Sequence, residues 1–264
     1  MKNYASLVIT TGIALQLVTT DATLVQSQAC INSDKIDVLW ILDASSSLRT
    51  PEWENLKESV ASFTDKIRVG PQHARISAIP YSTNVIDAVE LSSPIATDAT
   101  LFKNWVRNLK RPSRGFTDTP EAIFEASKML KDSVFRPGSK RLIVVATDNT
   151  PNRKGGCKSH GLGRKSSRAC TNHAIRSLVV QNDAVLVFLR IGTKVPKSLF
   201  EGIEDFLVNV AVPDLPTAHM ALLGRVLCAR SPTAMPSVSP VSSPTGDQPC
   251  VAQIKVAVDS SSSV

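Results

Sequence analysis

The residues best placed to do chemistry in this 264-residue chain are oxygen donors at the ends of apolar runs. The run 36–42 leads into Asp43-Ala44-Ser45-Ser46-Ser47, an Asp-x-Ser-x-Ser motif, and the run 142–146 ends in Thr147-Asp148. Between them lies Gly115-Phe116-Thr117-Asp118-Thr119-Pro120, a loop that feeds a helical pattern. Magnesium takes about six hard oxygen ligands and usually keeps some waters among them. Ser45, Ser47 and Thr117 offer neutral hydroxyls, while Asp43 and Asp148 supply negative charge directly or through water. A donor set so poor in carboxylates leaves a divalent cation electron-poor, so it gains by taking an acid group from a partner. That is a binding device and needs no turnover. Taken alone, the Asp-x-Ser-x-Ser segment reads equally well as a turn or a helix cap.

The elements around these donors decide whether they can act together. Near-continuous Val, Ile and Leu runs predict strands over 36–42, 75–81, 85–91, 141–147, 184–191 and 206–212. Helical spacing predicts helices over 50–67, 99–109, 120–130, 171–181, 196–203 and 217–227, the first with Thr50 as N-cap and Pro51 in its first turn. This alternation predicts an α/β fold, a doubly wound, mainly parallel sheet flanked by helices. In such sheets ligands bind outside the carboxyl ends of the strands.

Lys2 precedes an uncharged apolar run from Tyr4 to Val18, with small-residue exits at Ala22 and Ala29. This predicts a secretory signal peptide over 1–22, with cleavage as late as 29, since the run is too short to span a bilayer. No later segment reads as transmembrane, so the protein is expected to be secreted. Export permits disulfides among Cys30, Cys157, Cys170, Cys228 and Cys250. Cys157-x-x-His160 and Cys170-x-x-His173 have the look of zinc-ligand pairs, but in this compartment a Cys157–Cys170 disulfide is the simpler expectation. Residues 229–249 turn to Ser, Pro and Thr without apolar periodicity, the composition of an extended or disordered linker.

The Asp43, Thr117 and Asp148 segments, in this order and on these elements, resemble the metal-ion-dependent adhesion site of von Willebrand factor type A and integrin inserted domains. The resemblance covers 30–228 and implies that the segments converge on one cation, magnesium first, with manganese or calcium as alternatives. It also implies that Cys30 and Cys228 tie the domain's ends together, which would restrain the helix 217–227. Two positions depart from the family pattern: Asn149 stands where Gly often follows the aspartate, and Arg114-Gly115-Phe116 replaces a more Gly-rich approach. Neither removes an oxygen ligand. Cys250, a short apolar run and Asp259-Ser260-Ser261-Ser262-Ser263 echo the segment from Cys30 to Ser47, so 250–264 resembles the start of a second such domain.

The net charge of +7 is unevenly spread. Lys103, Arg107, Lys110, Arg111 and Arg114 occur without an acid over 99–117, as do Arg153, Lys154, Lys158, Arg164, Lys165, Arg168 and Arg176 over 149–182. Lys110, Arg111, Arg114, Arg153, Lys154 and Lys158 are therefore expected to rim the site and steer acidic ligands to it. The expected partner is an extracellular protein or acidic glycan supplying a carboxylate or sulfate, and not nucleic acid. Two rival classes remain in view. One is a matrix or structural protein whose metal site is vestigial. The other is a metal-dependent, phosphatase-like hydrolase, because Asp43 after a strand resembles the haloacid dehalogenase arrangement. That family needs a second acid two residues on, where this chain has Ser45.

Overall fold

The computed structural model describes residues 35–210 except Ser113, Val134, Phe135, Lys154 and Arg164. The expected signal peptide, Cys30, Cys228, the helix 217–227, the linker and the 250–264 segment lie outside the described residues, as does Lys154 of the expected rim.

Five strands form one sheet: β1 (Ile36–Asp43), β2 (Ala74–Tyr81), β3 (Lys140–Thr147), β4 (Ala184–Ile191) and β5 (Phe206–Val210). Their order is β2-β1-β3-β4-β5, and every pairing is parallel. All carboxyl ends therefore share one edge of the sheet. From β1 the chain first moves outward to β2 and then returns past β1 to β3, so the topology reverses between β1 and β3. That switch point is where an α/β sheet opens a crevice.

Burial on both faces of β1 explains its unbroken apolar sequence. Ile36, Val38, Trp40 and Leu42 enter a core with Trp53, Leu56, Val60 and Phe63 of helix α1 (Thr50–Thr64) and Phe102 and Val106 of α2 (Ala99–Asn108). Leu39 and Ile41 enter the opposite core with Ile123, Ala126 and Leu130 of α3 (Thr119–Asp132). Ile175 and Leu178 of α5 (Ser167–Asn182) complete that side. A short helix, α4 (Gly155–Ser159), connects β3 to α5.

Several expectations need correction. Residues 85–91 form no strand; they touch β2 only through the single antiparallel bridges Tyr81↔Val85 and Ala78↔Val89. Val89 and Leu91 are buried but Ile86 and Asp87 are exposed, so the run covers the sheet edge without a continuous ladder. The helix expected over 196–203 shrinks to a 3-10 turn, Lys197–Leu199, and the chain bends at Gly202, whose φ of +76° lies in the left-handed region. Thr50 is the first helical residue of α1 rather than its cap. Arg49 is extended there, and its N–H donates to Glu52 Oε2 at 2.7 Å, the return arm of a capping box.

The amino end of the sheet is held by charge. Buried Asp37 of β1 accepts two bonds of 2.8 Å from the Arg75 guanidinium of β2. Arg136, just before β3, donates to Asp37 and also to the carbonyls of Ile36 and His73. One carboxylate thus clamps three adjacent strands at the end opposite the loops.

Candidate metal centre

β1 and β3 end side by side, which brings their terminal acids to the switch point. Asp43, the last residue of β1, is fully buried; its Oδ1 accepts the Ser45 N–H at 2.8 Å and its Oδ2 accepts the Thr147 hydroxyl at 2.6 Å. The Asp-x-Ser turn thus folds back on its own aspartate, while β3 contributes Thr147 from the neighbouring strand. The Ser45 and Ser47 hydroxyls lie 2.9 Å apart, and Ser47 donates to Asp148 Oδ1 at 2.6 Å. Asp43, Ser45, Ser47 and Asp148 are therefore joined through direct contacts or through Thr147.

Burial pushes the Asp43 carboxyl up to about 6, against the pull of its Thr147 and Ser45 hydrogen bonds. Burial likewise raises Asp148, and the Lys194 charge partly opposes that. Lys194, beyond β4, lines a small open pocket with Leu48, Glu52 and Asp148. Beneath the acids, the buried Tyr81 hydroxyl sits 3.0 Å from Thr119 Oγ1, and its ionisation is pushed well up by burial and by Asp43.

Thr117 reaches the same end by ties on both sides of its loop. Gly115 O accepts the Ser46 N–H at 3.3 Å and the Ser46 hydroxyl at 2.9 Å, pinning the loop to the Asp-x-Ser-x-Ser turn. From the β3 side, Asn152 Oδ1 accepts the Thr117 N–H at 2.9 Å and the Asn152 N–H donates to Thr117 O at 3.1 Å. Asp118, the N-cap of α3, accepts the Gly155 N–H at 2.8 Å, so α4 holds the next residue too. With its backbone fixed this way, the Thr117 hydroxyl is buried with no hydrogen-bond partner among the described residues. A buried polar atom left unpaired is costly and rare in native proteins. An unpaired hydroxyl on a loop pinned to the Asp-x-Ser-x-Ser turn fits a hard oxygen-seeking cation.

The Cys157–Cys170 pair is a disulfide that staples α4 to α5. The zinc alternative does not hold in this arrangement: the two sulfurs are spent on each other, and His160 stacks on Phe124 at 3.8 Å between ring centres. The basic residues are dispersed more widely than the sequence suggested. Lys103 pairs with Asp65, and Arg107 with Glu58, both acids of the α1 segment. Lys110 lines a separate open hollow with Ile86, Asp87 and Trp105, and Arg111 is half-buried. Arg114 and Arg153 are exposed on the two segments that flank Thr117 and follow Asp148, and Lys158 is exposed on α4.

Sequence reasoning missed Thr147, Asn152, Asp118, Tyr81 and Lys194. Asp118 carried a legible signal, since Asp-Thr-Pro-Glu is a helix-start pattern. Asn152 carried none, because its partner lies 35 residues away.

This all-parallel sheet with acids and hydroxyls at its switch point defines a doubly wound α/β class, and sequence comparison gives the family. A family model for the von Willebrand factor type A domain matches residues 37–186, and the chain belongs to that family. It is 30% identical over 125 residues to the mouse collagen alpha-5(VI) chain, covering 47% of this chain and 5% of that one. With human matrilin-1 it shares 28% over 120 residues, covering 44% and 24%. With thrombospondin-related anonymous protein of Plasmodium falciparum it shares 22% over 122 residues, covering 45% and 22%. The chain therefore spans about a quarter or less of these relatives' lengths.

Among solved structures, proximal thread matrix protein 1 of the mussel byssus, with a zinc-occupied MIDAS motif, superposes with a TM-score of 0.62 at 14% identity, covering 75% and 49% of the two chains. Manganese-loaded TRAP of Plasmodium vivax gives 0.56 at 17% identity, covering 72% of each. At such identities these likenesses establish the fold. No helix among the described residues is long and apolar enough to cross a membrane.

Proposed function

We propose that this chain is a secreted ligand-binding module in which Asp43, Ser45, Ser47, Thr117 and Asp148 hold a divalent cation that takes an acid group from an extracellular partner. The observation that carries this reading is the buried, unpaired Thr117 hydroxyl, fixed at the same sheet edge as two buried acids. Magnesium suits this hard oxygen set best. The zinc and manganese named for the two structural neighbours support a divalent ion at this kind of motif. Once bound, the cation supplies a Lewis-acid centre for a partner's carboxylate or sulfate.

The chain's own residues do the rest. Thr147 and the Ser45 N–H hold the Asp43 carboxylate in one orientation, Ser47 holds Asp148, and Asn152 fixes the Thr117 peptide from both sides. None of this requires turnover, and Ser45 stands where a dehalogenase-type phosphatase would need its second acid. The export pattern at the amino terminus and the collagen and thread-matrix names among the similar proteins support an extracellular setting.

Calorimetric titration of the full chain with magnesium and then manganese tests the reading. One site is expected, abolished in Asp43→Ala. Absence of uptake by the wild-type chain overturns the binding role and leaves a matrix or structural protein with a vestigial site.

A further inference from the structure

The partner's class is left open between protein and glycan by the acid group alone, and the lip of the site discriminates between them. Phe116, immediately before Thr117, is 55% exposed and is the only aromatic among the large exposed apolar residues described. Single exposed apolar side chains are ordinary. This one differs in being held. Its N–H donates to Thr83 Oγ1 at 3.1 Å and its carbonyl accepts from the Ser82 hydroxyl at 3.2 Å. The Gly115 backbone comes so near that an added Cβ would lie 1.8 Å from Ser82 Oγ. The ring is thus presented to solvent from a fixed backbone.

Over that ring lies Arg153, its guanidinium carbon 5.4 Å from the centroid. Arg153 follows Asn152, the residue that clamps Thr117, and makes no ion pair among the described residues. The lip therefore combines an apolar face with an uncompensated cation, on the two loops that carry Thr117 and follow Asp148. Aromatic and Arg side chains on rigid backbone are the usual energetic centres of protein interfaces. A sulfated glycan offers charge to arrays of cations but no apolar side chain for Phe116. It would favour a continuous basic rim, whereas Lys110 lines another hollow and Arg111 is half-buried, leaving Arg114, Arg153 and Lys158 as the other exposed cations among the described rim residues.

We infer that Phe116 and Arg153 form a specificity lip selecting a protein segment in which the metal-seeking carboxylate is flanked by an apolar or aromatic side chain. This rests on the metal-dependent reading proposed above. The test pans the full chain, in manganese buffer, against displayed disulfide-closed peptides that carry one central Asp or Glu between randomised flanks, with elution by EDTA. A size-defined heparin fragment is titrated in parallel.

Eluted peptides are expected to carry Phe, Tyr, Trp or Leu beside the acid. Phe116→Ser should weaken them by about tenfold or more, while manganese uptake stays at the wild-type level and Phe116→Tyr retains binding. Peptides without an apolar flank, no EDTA-eluted peptide, binding indifferent to Phe116→Ser, or metal-dependent heparin binding that displaces the peptides would each overturn the lip. Failure of the underlying reading looks different: the wild-type chain takes up no manganese, or Asp43→Ala keeps the same peptides.

Discussion

At the scale of single residues, the candidate centre carries two kinds of cost that a bound cation would relieve. The first is the unpaired Thr117 hydroxyl. Thr117→Val removes that atom with little change of shape. It should leave the apo protein as stable or up to about 1 kcal/mol more stable, while weakening manganese binding by about tenfold or more. Thermal melts in EDTA and calorimetry check the two halves separately; loss of apo stability would mean the hydroxyl has a protein partner.

The second cost is the ionisation of Asp43, raised from 3.8 to about 6 by burial. Because the folded chain holds this proton more tightly than the unfolded chain does, Asp43 favours folding most below pH about 4. That contribution, about 3 kcal/mol, is lost as pH rises through about 6. Asp148 is shifted in the same direction. A bound cation favours the ionised acids and reverses the trend. Manganese should therefore raise the melting temperature strongly at about pH 7.5 and little at about pH 5, relative to EDTA controls. An equal rise at both values would contradict the shift.

At the scale of elements, the centre depends on how the segment after β3 is anchored. Asn152 and Gly155 hold Thr117 and Asp118, and the Cys157–Cys170 disulfide holds α4 against α5. Replacing both cysteines by Ala opens a loop of sequence separation 13 and should cost about 3 kcal/mol in the chain-entropy model. It should also lower manganese affinity several-fold, read by denaturant melts and calorimetry on the same variant. Unchanged affinity would mean that the loop holds Thr117 without help from α4.

Gly156→Ala attacks the same anchor sterically, since its Cβ would fall 2.5 Å from the Glu121 backbone nitrogen of α3. Displacement of α4 should cost about 1–3 kcal/mol, and a melting curve identical to wild type would refute that close contact. The short helix itself was illegible in the sequence. Its Gly-Gly start argues against a helix by propensity, and the close approach of Gly156 to α3 is visible only in three dimensions. The strands were legible because burial on both faces leaves an unbroken apolar run, as in β1. Residues 85–91 misled for the same reason, since an apolar run lying along a sheet edge looks the same as one within the ladder.

At the scale of the whole molecule, the two ends of the sheet have different work. The two acids of the candidate centre were legible because each follows an apolar run in sequence, Asp43 at the end of β1 and Asp148 after β3. The ties that hold Thr117 were not, because Asn152, Ser82 and Ser46 meet that loop only in three dimensions. The far end shows the converse. Asp37 sits within an apolar strand with no sequence hint that Arg75 and Arg136 converge on it. Asp37→Ala would remove the buried carboxylate shared by Arg75 and the half-buried Arg136 and should destabilise the fold by about 3–5 kcal/mol. At temperatures where that variant stays folded, its manganese affinity should equal that of the wild type; a parallel loss would show that the two ends are coupled.

If the ends are independent, the Asp37 clamp gives the fold a tolerance its recognition surface can exploit. Substitutions at the exposed Arg114, Phe116 and Arg153 then draw on none of the cohesion stored at the opposite pole. New binding preferences can be grafted or evolved there without rebuilding the scaffold beneath.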